Sequence, residues 1–198
     1  MNQYNVLICG VGGQGVMSLG TLLKQAAMPE GMVVVGSEVR GAAQREGAVT
    51  STVRYTVTDE AEKYDERRAL HSGKIPFGRT DLMIATEPSE ALRNAHFLSS
   101  RSKVILNTYV IKSKGFDYPE MENIVARIRE ITNNIYTLNA NEISLERYGS
   151  YRMANAILLG ATLSHSDLPV SRKTIESLLE RKEELEALEL GMNLHVGS

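Results

Sequence analysis

The chain holds a single cysteine, Cys9, among its 198 residues. One thiol cannot close a disulfide within the chain, which fits a reducing compartment. An iron–sulfur cluster takes about four cysteine ligands, so the chain cannot hold one by itself. A cation excess is missing too: 22 Lys+Arg stand against 24 Asp+Glu, for a formal charge of −2. Such a balance offers nothing to neutralise a polyphosphate backbone, which excludes nucleic acid as the main partner. Small anionic ligands stay open, because a few aimed donors hold those. No apolar run reaches the ~20 residues of a membrane span. The opening Met1-Asn2-Gln3-Tyr4 leads directly into a strand-like run with no signal-peptide pattern. Together these absences read as a soluble cytoplasmic protein. His71, His96, His165 and His195 are scattered and read as surface or capping residues. No His/Cys/carboxylate spacing makes a metal site, and neither a G-x-S-x-G elbow nor a G-x-x-x-x-G-K-[ST] loop occurs. Nothing here does difficult chemistry unaided, so no catalytic residue and no metal ligand is assigned.

What is present is an ordinary globular balance, 42% hydrophobic and 23% charged, in a chain long enough to bury a proper core. Asn5 to Cys9 reads as a strand buried on both faces. Val16, Leu19, Gly20, Leu23, Ala26 and Ala27 fall on one helical face, and Pro29 and Gly31 end that helix. Met32 to Val35 is a second apolar run, which completes a strand–helix–strand unit. Gly47 to Thr58 alternates, with one polar face, as a strand does. Asp59 to Phe77 reads as charged, then loop-like. Asp81 to Thr86, Lys103 to Asn107 and Ile135 to Leu138 read as strands. Helices are expected from Glu87-Pro88-Ser89-Glu90, over Ile124 to Glu130 and over Tyr151 to Leu163. Ser171 is a plausible N-cap for a charged helix with a stripe of Ile175, Leu178, Leu179, Leu185 and Leu188. That helix reads either as a solvated face packed on the sheet or as a partner-docking surface. The expected fold is one α/β domain spanning 1–198: a doubly wound, Rossmann-like mixed sheet with helices on both faces and a helical C-terminal third, the last segment being 167–195.

Gly10-Val11-Gly12-Gly13-Gln14-Gly15 matches G-x-G-x-x-G between a buried strand and a helix. Glycine there lets a ligand approach the backbone, and the start of the helix presents free N–H groups and a positive dipole end to phosphate. The same pattern also serves as a tight turn that binds nothing. Glu38 lies where a dinucleotide-binding fold carries its ribose-binding acid, so a free-standing NAD- or FAD-binding protein is one reading. Against it, Ser37 to Gly47 does not read as a plain crossover: it carries Arg40, Gln44 and Arg45 with two glutamates, and arginine forks suit phosphate or carboxylate, although the segment also reads as a surface loop with ordinary ion pairs. The candidate ligand contacts are Gly10, Gly12, Gly13, Gln14, Gly15 and Val16, then Glu38, Arg40, Gln44 and Arg45, and Asn107, at a strand end that either faces the ligand crevice or simply suits a turn. Asn155 reads either as a partner of the ligand or glycine turn, or as a buried amide satisfying nearby backbone.

Gly10 to Val16 resembles the opening motif of the gamma-type subunit of 2-oxoacid:ferredoxin oxidoreductases. The resemblance continues through Ser37-Glu38-Val39-Arg40-Gly41, Ala43 to Val49, Val53-Arg54, Ile75-Pro76-Phe77-Gly78, Asp81-Leu82 and Glu87 to Arg93. It closes with Asn107-Thr108, Asn155 to Gly160 and Leu190-Gly191-Met192. Gln44-Arg45-x-Gly47 looks most like the small (beta) subunit of the indolepyruvate type, although Arg40 and Glu46 stand where that type often has histidine and glycine. The resemblance implies an enzyme split over several chains that decarboxylates a pyruvate-, 2-oxoglutarate- or indolepyruvate-like oxoacid oxidatively to acyl-CoA. Thiamine diphosphate and iron–sulfur clusters would sit on partner subunits, which pass electrons to ferredoxin. This chain would contribute coenzyme A binding and subunit contacts and would be inactive alone.

Overall fold

A computed structural model describes residues 2–41, 47–57, 72–111 and 118–194. Six strands form one sheet: β1 (Asn2–Val11), β2 (Val33–Arg40), β3 (Ala48–Val57), β4 (Leu82–Ala85), β5 (Lys103–Asn107) and β6 (Ile135–Leu138), in the spatial order β2-β3-β1-β4-β5-β6. β1, β4, β5 and β6 are parallel, whereas β3 runs antiparallel to both β1 and β2. The expected strand–helix–strand unit is present in chain order, with β3 inserted between its two strands.

Strand alternation divides the core into two layers. Val6 and Ile8 of β1, Leu82 and Ile84 of β4 and Ile105 of β5 point to one face. Leu7 and Cys9, Met83 and Ala85, and Val104 and Leu106 point to the other. Both faces of these strands are covered, which is why they read as continuous apolar runs. Each fully buried Leu, Ile or Val contributes about 1.5–3 kcal/mol. Cys9 is fully buried, and desolvation, then the nearby Glu90 and Glu87, push its thiol well above the ordinary range.

The first layer is covered by α1 (Val16–Ala27) and α5 (Ala154–His165), with α6 (Arg172–Leu178) packed on α1 and α7 (Lys182–Asn193) on α5; the second is covered by α2 (Pro88–Arg93) and α3 (Met121–Arg129). The buried face of α1 is the expected set, Val16, Leu19, Gly20, Leu23, Ala26 and Ala27. Glu87 caps α2 by accepting from the Glu90 N–H at 3.0 Å, with Pro88 in the first turn. Tyr118 donates to the same Glu87 carboxylate and so fixes the chain just before α3.

Three sequence expectations change. The second strand does not stop at Val35. Its pairing with β3 continues to Arg40 opposite Val49, so Ser37–Arg40 is hairpin strand rather than loop. The charged C-terminal stripe lies on two helices, not one: Leu179 turns extended, and the Glu184 carboxylate, accepting from the Arg181 N–H at 3.2 Å, caps the restart of the chain as α7. That helix packs on α5 rather than on the sheet, so closely that a Cβ on Gly160 would overlap the Leu188 carbonyl. Finally α4 (Ala140–Tyr148) was not expected; it buries just Ala140 and Ser144, so no apolar stripe announces it. Most of the charged stretch 59–77, and both His71 and His195, lie outside the described residues.

Candidate ligand-binding site at the glycine turn

The parallel strands β1, β4 and β5 end side by side, so the turn after β1 meets the residues that follow β4 and β5. At the turn, the Gln14 side chain folds inward rather than outward. Its Oε1 accepts from the Val11 N–H at 2.8 Å and from Thr86 Oγ1 at 2.9 Å, and its Nε2 donates to the Thr86 carbonyl at 3.0 Å. Gly10 is required by this arrangement, because a Cβ there would overlap Thr86 Oγ1. Gly13 has φ +94° and would aim a Cβ into open space, so the backbone itself faces the cavity. Gly15, also left-handed at φ 75°, opens α1 with no side-chain cap and no acidic residue in the first turn. The first N–H groups of α1 thus have no side-chain cap among the described residues.

The turn borders a cavity of about 430 Å³. Gly12, Gly13, Gln14 and Gly15 form one wall, and Thr86 and Asn107 form the floor. Tyr109, Asn141, Tyr151, Arg152 and Asn155 close the far side. The Tyr109 and Tyr151 rings lie 5.4 Å apart, and burial, then the neighbouring Tyr151, raises the Tyr109 hydroxyl above its ordinary pKa. Asn155 Nδ2 donates to the Gln14 carbonyl at 3.0 Å, so the half-buried amide satisfies a backbone group, and that group belongs to the glycine turn. A second cavity of about 230 Å³, between α1, α5 and the start of α7, shares Arg152 and Asn155 with the first.

The candidate residues divide. Gly12, Gly13, Gln14, Gly15 and Asn107 line the cavity. Asn107 is 1% exposed, and its amide is engaged: Nδ2 donates to the Thr86 carbonyl and Asn141 Oδ1, and Oδ1 accepts from the Ala140 N–H. It ties β4, β5 and α4 together. Val16 is buried in the first turn of α1, and Gly10 lies beneath the turn. Glu38 is not beside the turn. It sits on β2, two strands from β1, and its carboxylate pairs with Lys24 at 2.9 Å. The insertion of β3 has moved that position away from where a dinucleotide's ribose would lie. Arg40 does approach, with Nε 2.9 Å from Met17 Sδ in the first turn of α1. The hairpin end is also tied to the turn, since the Gly12 N–H donates to the Gly47 carbonyl at 2.9 Å. Gln44 and Arg45 lie outside the described residues. Among the described residues no group of three or more His, Cys, Asp or Glu side chains is placed to hold a metal ion, and no helix is long and apolar enough to cross a membrane.

A family model described as pyruvate ferredoxin/flavodoxin oxidoreductase matches residues 5–194. The chain belongs to this family. Indolepyruvate oxidoreductase subunit IorB of Archaeoglobus fulgidus is 34% identical over 203 residues, covering 96% of this chain and 94% of the relative. Pyruvate oxidoreductase subunit PORC of Thermotoga maritima shares the fold, with a TM-score of 0.65 at 18% identity over 98% of this chain and 94% of that one. So does a 2-oxoglutarate:ferredoxin oxidoreductase of Magnetococcus marinus solved with 2-oxoglutarate, coenzyme A and succinyl-CoA bound. Its TM-score is 0.69 at 19% identity, over 97% of this chain and 31% of that longer one. The likeness to gamma-type subunits of 2-oxoacid:ferredoxin oxidoreductases, carried in the sequence by the glycine turn and its companions, therefore stands.

In this member of the pyruvate ferredoxin/flavodoxin oxidoreductase family, sequence reasoning missed Thr86, Tyr109, Asn141, Tyr151 and Arg152. A signal existed for Thr86, a polar residue at a strand end in an open α/β sheet. For Arg152 none did, because it lies in a short 3₁₀ turn, Tyr151–Met153, that only the tertiary fold brings to the glycine turn.

Proposed function

We propose that this chain is the thiamine-free, cluster-free subunit of a 2-oxoacid ferredoxin oxidoreductase of the indolepyruvate type, and that it holds coenzyme A at the glycine turn. The observation that carries this reading is the cavity whose wall is the backbone of Gly12–Gly15 and the uncapped start of α1. Backbone N–H groups and a positive dipole end suit a phosphate. Arg152 on the far wall and Arg40 at the hairpin end add cationic reach on either side. Coenzyme A is long, and the smaller cavity that shares Arg152 and Asn155 offers it a continuation along α1 and α5. Support also comes from the name of the Archaeoglobus relative, an indolepyruvate oxidoreductase subunit. The Magnetococcus neighbour carries coenzyme A in its own structure.

The division of labour follows from the donor set. With one cysteine, fully buried, this chain has no thiolate set for a cluster, so partner subunits carry the clusters and deliver electrons to ferredoxin. Thiamine diphosphate, held by a partner, supplies the decarboxylation. The residues here bind and orient: the turn fixes the phosphates, and Tyr109 and Tyr151 offer an apolar wall with two hydroxyls.

Equilibrium binding of coenzyme A and NAD to the purified chain tests the ligand assignment. Saturable coenzyme A binding, abolished by Gly13→Val and unmatched by NAD, is expected. Tight NAD binding without coenzyme A binding would falsify it. Co-purification from the native host tests the assembly: a brown, thiamine-binding partner is expected, and oxidoreductase activity from the isolated chain would refute the division of labour.

A further inference from the structure

At the other end of the sheet from the glycine turn, Arg54 of β3 is just 7% exposed. A guanidinium has five N–H donors, and four hydrogen bonds are made among the described residues. Nε donates to Asn5 Oδ1 at 2.8 Å, Nη1 to the carbonyls of Ser72 and Lys74 at 2.8 and 2.9 Å, and Nη2 to Gln3 Oε1 at 3.2 Å. All four acceptors are neutral. Among the described residues no carboxylate pairs with this buried charge, and burial lowers its basicity. An uncompensated buried cation is costly, so what neutralises Arg54 is a physical question.

Arg54 borders a cavity of about 290 Å³ whose lining is mainly polar. Thr80 also lines it; this residue is 1% exposed, and its Oγ1 has no hydrogen-bond partner among the described residues. Buried hydroxyls are nearly always satisfied. Two more arginines, Arg79 and Arg101, stand at the rim, both exposed. The one carboxylate among the described lining residues, Asp81, already accepts from the Asn5 N–H at 2.7 Å. Among the described residues the lining is net cationic, three guanidinium groups against one carboxylate.

We propose that this cavity is a binding site for a small multivalent oxyanion, a phosphoryl or polycarboxylate group. The Nη2 N–H of Arg54 that has no acceptor among the described residues and the Thr80 hydroxyl form its buried end, and Arg79 and Arg101 close over it. The volume suits an ion or a small metabolite and is below the size of a nucleotide site. Asn5 and Gln3 hold the Arg54 guanidinium plane through Nε and Nη2, so the buried end of the site is pre-organised from β1 and β3, while its rim is made of exposed side chains. This assignment does not depend on the coenzyme A reading.

Isothermal titration of the full chain with inorganic phosphate and, separately, with citrate, at fixed ionic strength, tests it. One saturable site is expected for at least one of the two; a response to phosphate alone assigns a phosphoryl ligand, and to citrate alone a carboxylate ligand. Arg79→Gln and Arg101→Gln should each weaken that binding about tenfold, the worth of a charge-assisted hydrogen bond. Thr80→Val should weaken binding too while leaving the melting temperature equal or higher, since it removes an orphaned hydroxyl without changing bulk. Arg152→Gln, beside the glycine turn, should leave this titration unchanged. No saturable heat with either probe overturns the proposal. So does binding that survives Arg79→Gln and Arg101→Gln yet is lost in Arg152→Gln.

Discussion

Replacing Gln14 by alanine separates the two jobs of the glycine turn. The side chain makes three hydrogen bonds, but they are not equally replaceable. The Thr86 carbonyl keeps Asn107 Nδ2 at 3.0 Å, and Thr86 Oγ1 keeps the Cys9 carbonyl at 3.3 Å. The Val11 N–H loses its acceptor at 2.8 Å and has no substitute. One buried donor is therefore orphaned, a loss of about 1–3 kcal/mol. In a chain of this size each kcal/mol moves the melting temperature by roughly 2–4 °C, so a fall of about 2–12 °C is expected by circular dichroism. Gln14→Glu keeps an acceptor for Val11 and should recover part of that loss. It also sets a negative charge where phosphate would lie, so its coenzyme A affinity should fall further than that of Gln14→Ala. Stability and affinity then move in opposite directions across the pair. If Gln14→Ala melts within a degree of the parent, the side chain does not hold the turn. If Gln14→Glu binds coenzyme A as tightly as the parent, the turn is not a phosphate cradle.

Arg152→Gln should weaken coenzyme A binding about tenfold and leave pantetheine, which lacks the nucleotide phosphates, unaffected; equal losses for both ligands would remove Arg152 from the phosphate contacts. Gly160→Ala forces α7 away from α5, because the new Cβ would overlap the Leu188 carbonyl. The overpacking costs about 1–3 kcal/mol, and an unchanged urea midpoint would contradict the close helix contact. Burial, partly opposed by Arg93, raises the Glu90 carboxyl pKa. A raised folded pKa means the carboxyl's contribution is complete below its unfolded value and is lost as pH climbs through the folded one. Glu90→Gln should therefore melt higher than the parent at pH 7, and the difference should close toward roughly pH 4; a constant difference across that range would show that Glu90 does not titrate with folding.

The elements legible in the sequence were those whose signal is local. The buried face of α1 follows from 3.6-residue spacing, and β4, β5 and β6 from short apolar runs. The hairpin strand Ser37–Arg40 was hidden because three of its four residues are polar or charged and the fourth, Val39, is exposed. It is an edge strand, largely exposed, so no apolar alternation marks it. The position of β3 between β1 and β2 is a matter of pairing, which a single sequence does not encode in any short window, and it is what displaces Glu38 from the turn. The glycine turn was readable as a motif with a mechanism. Its inward Gln14 was not, because that orientation depends on Thr86, 72 residues away. The same holds for the polar cavity around Arg54, where β1, β3 and the segments preceding β4 and β5 each supply a part.

The seclusion of Cys9 has a practical return. The chain's sole native sulfhydryl is inaccessible and held in its unreactive form, so alkylating dyes and spin labels should pass it by without any background substitution. A cysteine introduced at Arg152 or at Arg101 would then be the one addressable handle, placing a fluorophore beside either cavity in an otherwise unaltered chain.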